Sequence, residues 1–279
     1  MIWVSRNFPG GNIELVGIEG NTVRVRQDVT GCGERWFYWN FALTVSAPGE
    51  YRVCFDDSVV SRFGPATEEN GVWRYDRDAF VSHTEFTARF PTAGTRRFAF
   101  SIPYQLTDHA RFLATLPRDR IRLYDWGLSE RGRKIPVVAF GTPSARKVVF
   151  TCRHHACESV AAYSLEGAVA ALLRDEEYCA QHETIVVPFV DVDGVETGEQ
   201  GKSRLPHDHN RDYIDAPLYA TTRRLKALAD AGTTDVLIDF HCPARWGGVH
   251  DHMSLIGLPS PQAERQQRFS EILAETDGE

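Results

Sequence analysis

Residues 147–173 read KVVFTCRHHACESVAAYSLEGAVAALL. The first six, KVVFTC, form a short and nearly continuous apolar run, the pattern of a strand buried on both faces. From Glu158 onward apolar residues recur three and four apart, which is helical spacing. Polar side chains crowd the joint between the two: Arg153, His154, His155 and Glu158. A strand feeding directly into a helix is the unit of an α/β sheet, and such sheets bind ligands beyond the carboxyl ends of their strands. The stretch therefore predicts a fold class and places four candidate groups at one point in it.

The same rhythm continues downstream. ETIVVPFVDVDG begins a second strand, and TTDVLIDFH is a third that ends on His241. DAPLYATTRRLKALADAG reads as a helix with Asp215 as N-cap and Pro217 in its first turn. SPQAERQQRFSEILAE reads as a last helix, and HCPARWGGVHDHMSLIGLPSP before it as a loop. Strands alternating with helices imply a mainly parallel mixed sheet covered on both faces. Upstream the texture differs. NTVRVRQDV alternates polar and apolar residues, and RWFYWNFALTV, YRVCFDD, HTEFTARF and RRFAFSIPY are short aromatic and branched runs separated by turn signals. No helix of ordinary length is evident before TDHARFLATL. The expected organisation is an N-terminal antiparallel β-sandwich over residues 1–117, followed by an α/β domain over 118–279.

Composition narrows the class. With 279 residues, 42% of them apolar and 25% charged, the chain has the make-up of a globular protein with a sizeable core. A net charge of −7 argues against a nucleic-acid partner, because there is no basic excess to displace counterions. MIWVSRNFPGG lacks the features of a signal peptide, and SVAAYSLEGAVAALL is too short to span a bilayer. Six cysteines without framework spacing read as reduced thiols, so a cytoplasmic location is expected. Oligomeric state leaves no signal.

His-x-x-Glu with a distant histidine is a zinc pattern: two nitrogens and one carboxylate leave the fourth tetrahedral position open. His155 and Glu158 have that spacing, and His241 lies 83 residues beyond Glu158 at another strand end. His154 and Cys157 share the spacing and offer nitrogen and sulfur donors, so chemistry alone leaves both pairs open. Asp239, two residues before His241 on the same strand face, is a candidate partner for a metal-bound histidine.

Several motifs in order resemble those of the zinc carboxypeptidases, of cytosolic carboxypeptidase type within the wider carboxypeptidase A-like family. LSERGRKIPVVAFG resembles the strand entry before the first ligand loop, and RHHACE resembles Arg-x-His-x-x-Glu. DVDGV resembles an Asn-Pro-Asp-Gly turn, DHNRD resembles Asp-x-Asn-Arg, and DFHCP resembles the strand carrying the third ligand. FPGGN, WFYWNF and SIPYQLTDHARFL resemble the preceding β-sandwich of the cytosolic subgroup. The resemblance implies zinc on His155, Glu158 and His241, with Asn210 and Arg211 holding a substrate carboxylate and Arg153 supporting substrate or oxyanion. It implies hydrolysis of C-terminal residues from peptides or proteins.

The chain departs from the family in three places, the first being the turn Asp191-Val192-Asp193-Gly194, which lacks the usual Asn-Pro. The arginine expected to stabilise the oxyanion falls out of register, leaving Arg204 as the candidate and Lys202 behind it. The glutamate that serves as general base on a later strand is not found in the 38 residues after His241; Glu264, Glu271 and Glu275 lie in a helical pattern without the family's context. The expectation is thus a carboxypeptidase-like domain lacking its C-terminal part. Three readings follow: a zinc metallocarboxypeptidase, an amide deacylase on the same scaffold, or a catalytically inactive form that binds zinc and a peptide terminus. A carbohydrate platform on Trp36, Trp39 or Trp73 is a fourth, set against ordinary packing of aromatic residues in a core.

Overall fold

The computed structural model describes residues 1–144, 146–242 and 262–276. It divides into two compact units, residues 1–245 and 246–279. Most of the segment read above as a loop, residues 243–261, lies outside the described residues.

The first two sheets form a sandwich. One has the order β1 (Ile2–Ser5), β4 (Asn40–Val45), β10 (Gly94–Ala99), β6 (Ala66–Glu69), β7 (Val72–Tyr75), with antiparallel neighbours throughout. The other has the order β2 (Glu14–Glu19), β3 (Thr22–Arg26), β5 (Gly49–Phe55), β9 (Glu85–Phe90), β8 (Phe80–Ser82), in which β3 and β5 run parallel. The alternation in TVRVR sends Val23 and Val25 inward, both fully buried. Aromatic rings join the two inner faces. Trp39 stacks on Phe86 at 5.7 Å, and Phe86 meets Phe98 at 5.3 Å. Trp39 is completely buried and donates its indole N–H to the Val59 carbonyl at 2.7 Å. It is core, as the packing alternative requires, and no platform for a sugar.

The third sheet has the order β11 (Ile121–Leu128), β12 (Lys134–Gly141), β14 (Glu183–Val187), β13 (Lys147–Cys152), β15 (Thr234–Phe240). Its β13 pairs in parallel with β14 and β15, whereas β12 pairs antiparallel with β11 and β14. The sheet is mixed, and its parallel half is where the strands end at the candidate site. Successive residues of β13 face opposite sides. Val148 and Phe150 pack with Leu165, Val169 and Leu173 of α2 (Ala161–Arg174). Val149 packs with Leu225 of α5 (Ala220–Asp230). The sheet is therefore covered on both faces. On the α2 side, Leu106, Phe112 and Leu113 of α1 (Leu106–Thr115) join the same core, although α1 precedes residue 118.

Three shorter or later helices complete the description: α3 (Glu176–Gln181), α4 (Val192–Thr197) and α6 (Gln262–Thr276), the last within the second unit. Two local expectations need correction. DVDGV opens α4 rather than forming only a turn, with the Asp191 carboxylate accepting from Gly194 N at 2.8 Å. α5 begins at Ala220, not near Asp215. Asp212 organises the approach instead, accepting from the backbone N–H groups of Leu218 and Tyr219, both at 2.9 Å.

Candidate metal centre

β13 ends at Cys152, and the chain turns at Arg153 with φ +60°. A non-glycine residue in that conformation needs support from its surroundings. Arg153 supplies it through its own side chain. Nη1 donates to the Tyr104 carbonyl at 2.8 Å, while Nε and Nη2 donate to the Ala156 carbonyl at 3.2 and 2.5 Å. The side chain is fully buried. Arg153, expected at the substrate, is placed as an internal brace for the ligand loop, with its donors turned to backbone carbonyls.

The braced loop sets His155 and Glu158 one turn apart. Glu158 is fully buried and faces two rings: Oε1 lies 3.0 Å from His155 Nδ1, and Oε2 lies 2.6 Å from His241 Nδ1. His241 stands one residue past the end of β15, next to β13 in the sheet, so parallel pairing brings two remote segments together. The donor atoms of His155, Glu158 and His241 all lie within 4.8 Å of one another. Behind each ring stands a second carboxylate. Asp208 Oδ2 is 3.7 Å from His155 Nε2, and Asp239 Oδ2 is 2.5 Å from His241 Nε2. Two imidazoles presenting the same nitrogen to one carboxylate, each with a carboxylate behind it, is the donor set and outer partnership that suits a zinc ion.

Electrostatics agree with that reading. Burial alone would raise the Glu158 carboxyl, but hydrogen bonds with His155 and His241 overcome it and hold the group well below the usual carboxylate range. Burial opposes protonation of His241, yet Asp239 and Glu158 together push it up to about 10. A divalent ion held between the two rings and Glu158 would balance the same carboxylates.

The neighbouring histidine differs. His154 turns Nδ1 to Asp239 Oδ1 at 2.8 Å and Nε2 to the Tyr213 hydroxyl at 2.6 Å. His154, Asp239 and His241 form a second cluster with donor atoms within 4.8 Å. Neither candidate group among the described residues contains Cys157, which is fully buried and whose thiol is pushed well up by that burial.

The two candidate cations near the centre meet different surroundings. Arg204 is buried and pairs with Asp191 Oδ2 at 2.6 Å and Glu199 Oε2 at 2.7 Å, so its guanidinium is enclosed by carboxylates of the fold. Lys202 places Nζ 2.6 Å from Glu158 Oε1 and 5.2 Å from the centre of the Trp36 ring. The sequence contained Lys202 but no indication of which side chain of the loop turned inward. Asn210 and Arg211 sit in a single 3-10 turn directly after Asp208, with Arg211 exposed. That turn ties the pair to the carboxylate behind His155. Glu264, Glu271 and Glu275 are exposed on α6.

Residues 106–236 match the model of the zinc carboxypeptidase family. Comparison with curated proteins gives no match. Among solved structures, a metallo-carboxypeptidase from Pseudomonas aeruginosa in complex with (2-guanidinoethylmercapto)succinic acid is similar with a TM-score of 0.75 and 19% identity, covering 96% of this chain and 78% of that one. A metallo-carboxypeptidase from Burkholderia cenocepacia gives 0.73 and 18%, covering 97% of this chain and 78% of that one. At such identities the structures attest the fold. Over residues 106–236, a little under half of its length, the chain is similar to the zinc carboxypeptidase family.

Proposed function

We propose that the protein is a zinc-dependent metallocarboxypeptidase, of the cytosolic carboxypeptidase type, that removes C-terminal residues from peptides or proteins. One observation carries the reading: His155 Nδ1, the Glu158 carboxylate and His241 Nδ1 converge from two strand ends onto one point. These three would hold the ion. Zinc there supplies a Lewis acid for the scissile carbonyl and lowers the pKa of a water.

The remaining work falls to the chain's own side chains. Arg211, with Asn210 beside it, would grip the substrate's terminal carboxylate, which a planar guanidinium can bind through two parallel hydrogen bonds. Lys202, whose Nζ is 2.6 Å from Glu158 Oε1, would stabilise negative charge developing there. Arg204 is set aside for that role because Asp191 and Glu199 already occupy it. Six free cysteines support a reducing, cytoplasmic setting. Among the described residues no helix is long and apolar enough to cross a membrane.

An amide deacylase on the same scaffold would also use a carboxylate-binding arginine. Matched peptides with free and amidated C-termini separate the two. The expected result is zinc-dependent release of the terminal amino acid from free peptides only. Equal turnover of both forms would defeat the carboxypeptidase reading, and stoichiometric zinc with no turnover of a broad peptide library would favour the inactive binding form.

A further inference from the structure

Resting on the metal reading above, we propose that Asp239 is the positioning residue of the centre: it fixes which nitrogen of His241 faces the metal, and His154 with Tyr213 holds Asp239 in place. The geometry begins in the sheet. Thr151 of β13 and Asp239 of β15 are direct cross-strand partners, so both side chains stand on one face. His241, two residues after Asp239, continues that face.

The Asp239 carboxylate then receives three donors. Oδ1 accepts from Thr151 Oγ1 at 2.8 Å and from His154 Nδ1 at 2.8 Å, and Oδ2 accepts from His241 Nε2 at 2.5 Å. An ionised carboxylate only accepts, so each partner must bring a proton. His154 carries its hydrogen on Nδ1, which leaves Nε2 to accept from the Tyr213 hydroxyl at 2.6 Å. His241 gives its Nε2 hydrogen to Asp239, so Nδ1 is the nitrogen turned to Glu158 Oε2 at 2.6 Å and to the ion that Glu158 would share with it. Hydrogen bonds thus run Tyr213 to His154 to Asp239, and His241 closes the set from the other side. This assigns His154 to the support of the centre, although it stands next to a ligand in sequence and belongs to a cluster that could itself hold a cation. Asp239 takes donors from three side chains of that cluster and its surroundings, and in this assignment the cluster acts as a brace.

The test is metal binding by the full chain. Zinc affinity is measured by competition with a chromophoric chelator for wild type, Asp239→Asn, Asp239→Ala and Tyr213→Phe, with metal stoichiometry and the visible spectrum of the cobalt(II) form. Wild type should bind one zinc. Asp239→Asn keeps the shape but cannot accept from both sides, and with Asp239→Ala it should lose roughly 10–100-fold in affinity and shift the cobalt spectrum. Tyr213→Phe should lose less than either. Asp239 variants that bind zinc as tightly as wild type with an unchanged spectrum would overturn the proposal. So would two metals per wild-type chain with one lost in Asp239→Ala. A folded wild type that binds no zinc would instead defeat the metal reading itself, which keeps the two failures apart.

Discussion

Lys202 and Arg204 are two residues apart and meet opposite surroundings. Arg204 neutralises two carboxylates inside the fold, Asp191 and Glu199. Removing one partner of a buried ionic group strands the others, at a cost of about 3–5 kcal/mol. Arg204→Ala should therefore lower stability by that order in denaturant titrations. Lys202 is held to its charged form by Glu158 against the pull of burial. Lys202→Met should fold, and should lose roughly 100-fold in kcat on a free peptide if it stabilises developing charge. A stable Arg204→Ala enzyme with collapsed kcat, beside a fully active Lys202→Met, would reverse the two assignments. The contrast marks the limit of sequence at this scale. His155, Glu158 and His241 could be nominated from spacing together with the family resemblance, since spacing alone left His154 and Cys157 open, and their donor atoms lie within 4.8 Å of one another. The different surroundings of Lys202 and Arg204 were not legible, because they depend on how residues 199–205 are held. That loop is tied to the sandwich by Gly33 N to the Ser203 carbonyl and by Leu205 N to the Gly31 carbonyl, contacts no local pattern encodes. Arg153 was misleading for a related reason: an arginine beside a ligand suggests substrate, yet a positive φ at a strand end can require the same side chain as a brace.

Among elements, α1 shows how burial sets a pH response. Its His109 is buried against the third sheet, 5.6 Å from the Phe189 ring, with Nδ1 3.2 Å from the Tyr104 hydroxyl. That hydroxyl donates to Glu166 at 2.5 Å, so His109 donates from Nδ1 and keeps Nε2 unprotonated. Burial pushes its pKa down from 6.5 to about 4. The unfolded chain binds the proton first as pH falls. Stability is therefore fully present above pH 6.5 and is lost progressively towards pH 4, by about 3 kcal/mol in all. Glu166, raised by burial, contributes with the opposite sign in acid, so the difference between proteins is the useful measure. His109→Gln should lose less stability than wild type between pH 7 and pH 5 in urea titrations; parallel losses would refute the assignment. At this scale the sequence was informative for strongly periodic elements. β3, β13 and α2 stand where alternation or helical spacing placed them. Helix starts were less legible. α5 begins five residues after Asp215 because Asp212 reaches forward to the N–H groups of Leu218 and Tyr219, a longer cap than local signals describe.

For the first compact unit as a whole, the question is whether sandwich and third sheet behave as one. The two meet at the segment that follows α4. Asn12 Nδ2 donates to the Gly198 carbonyl at 2.7 Å, and Gly10 N donates to the Glu196 carbonyl at 2.9 Å. Gln200 makes a paired contact with Tyr38, donating to its carbonyl at 2.8 Å and accepting from its N–H at 3.1 Å. The same segment leads to Lys202, whose ammonium reaches Glu158, so the sandwich supports the candidate centre directly. Gly198 is the narrowest point. Its φ is +76°, and a Cβ there would stand 2.3 Å from the Gly11 carbonyl oxygen. Gly198→Ala must therefore strain its own backbone and push the sandwich away; the first effect alone is worth about 1–3 kcal/mol. If the seam joins the parts into one cooperative body, residues 1–245 should melt in a single transition. Gly198→Ala should lower that transition as a whole by several degrees, at about 2–4 °C per kcal/mol. It should also weaken zinc retention, because the displaced seam carries the loop that faces Glu158. Two separate transitions in calorimetry, with the variant moving only one and zinc retention unchanged, would mean that the sandwich is a neighbour of the centre and not part of its support.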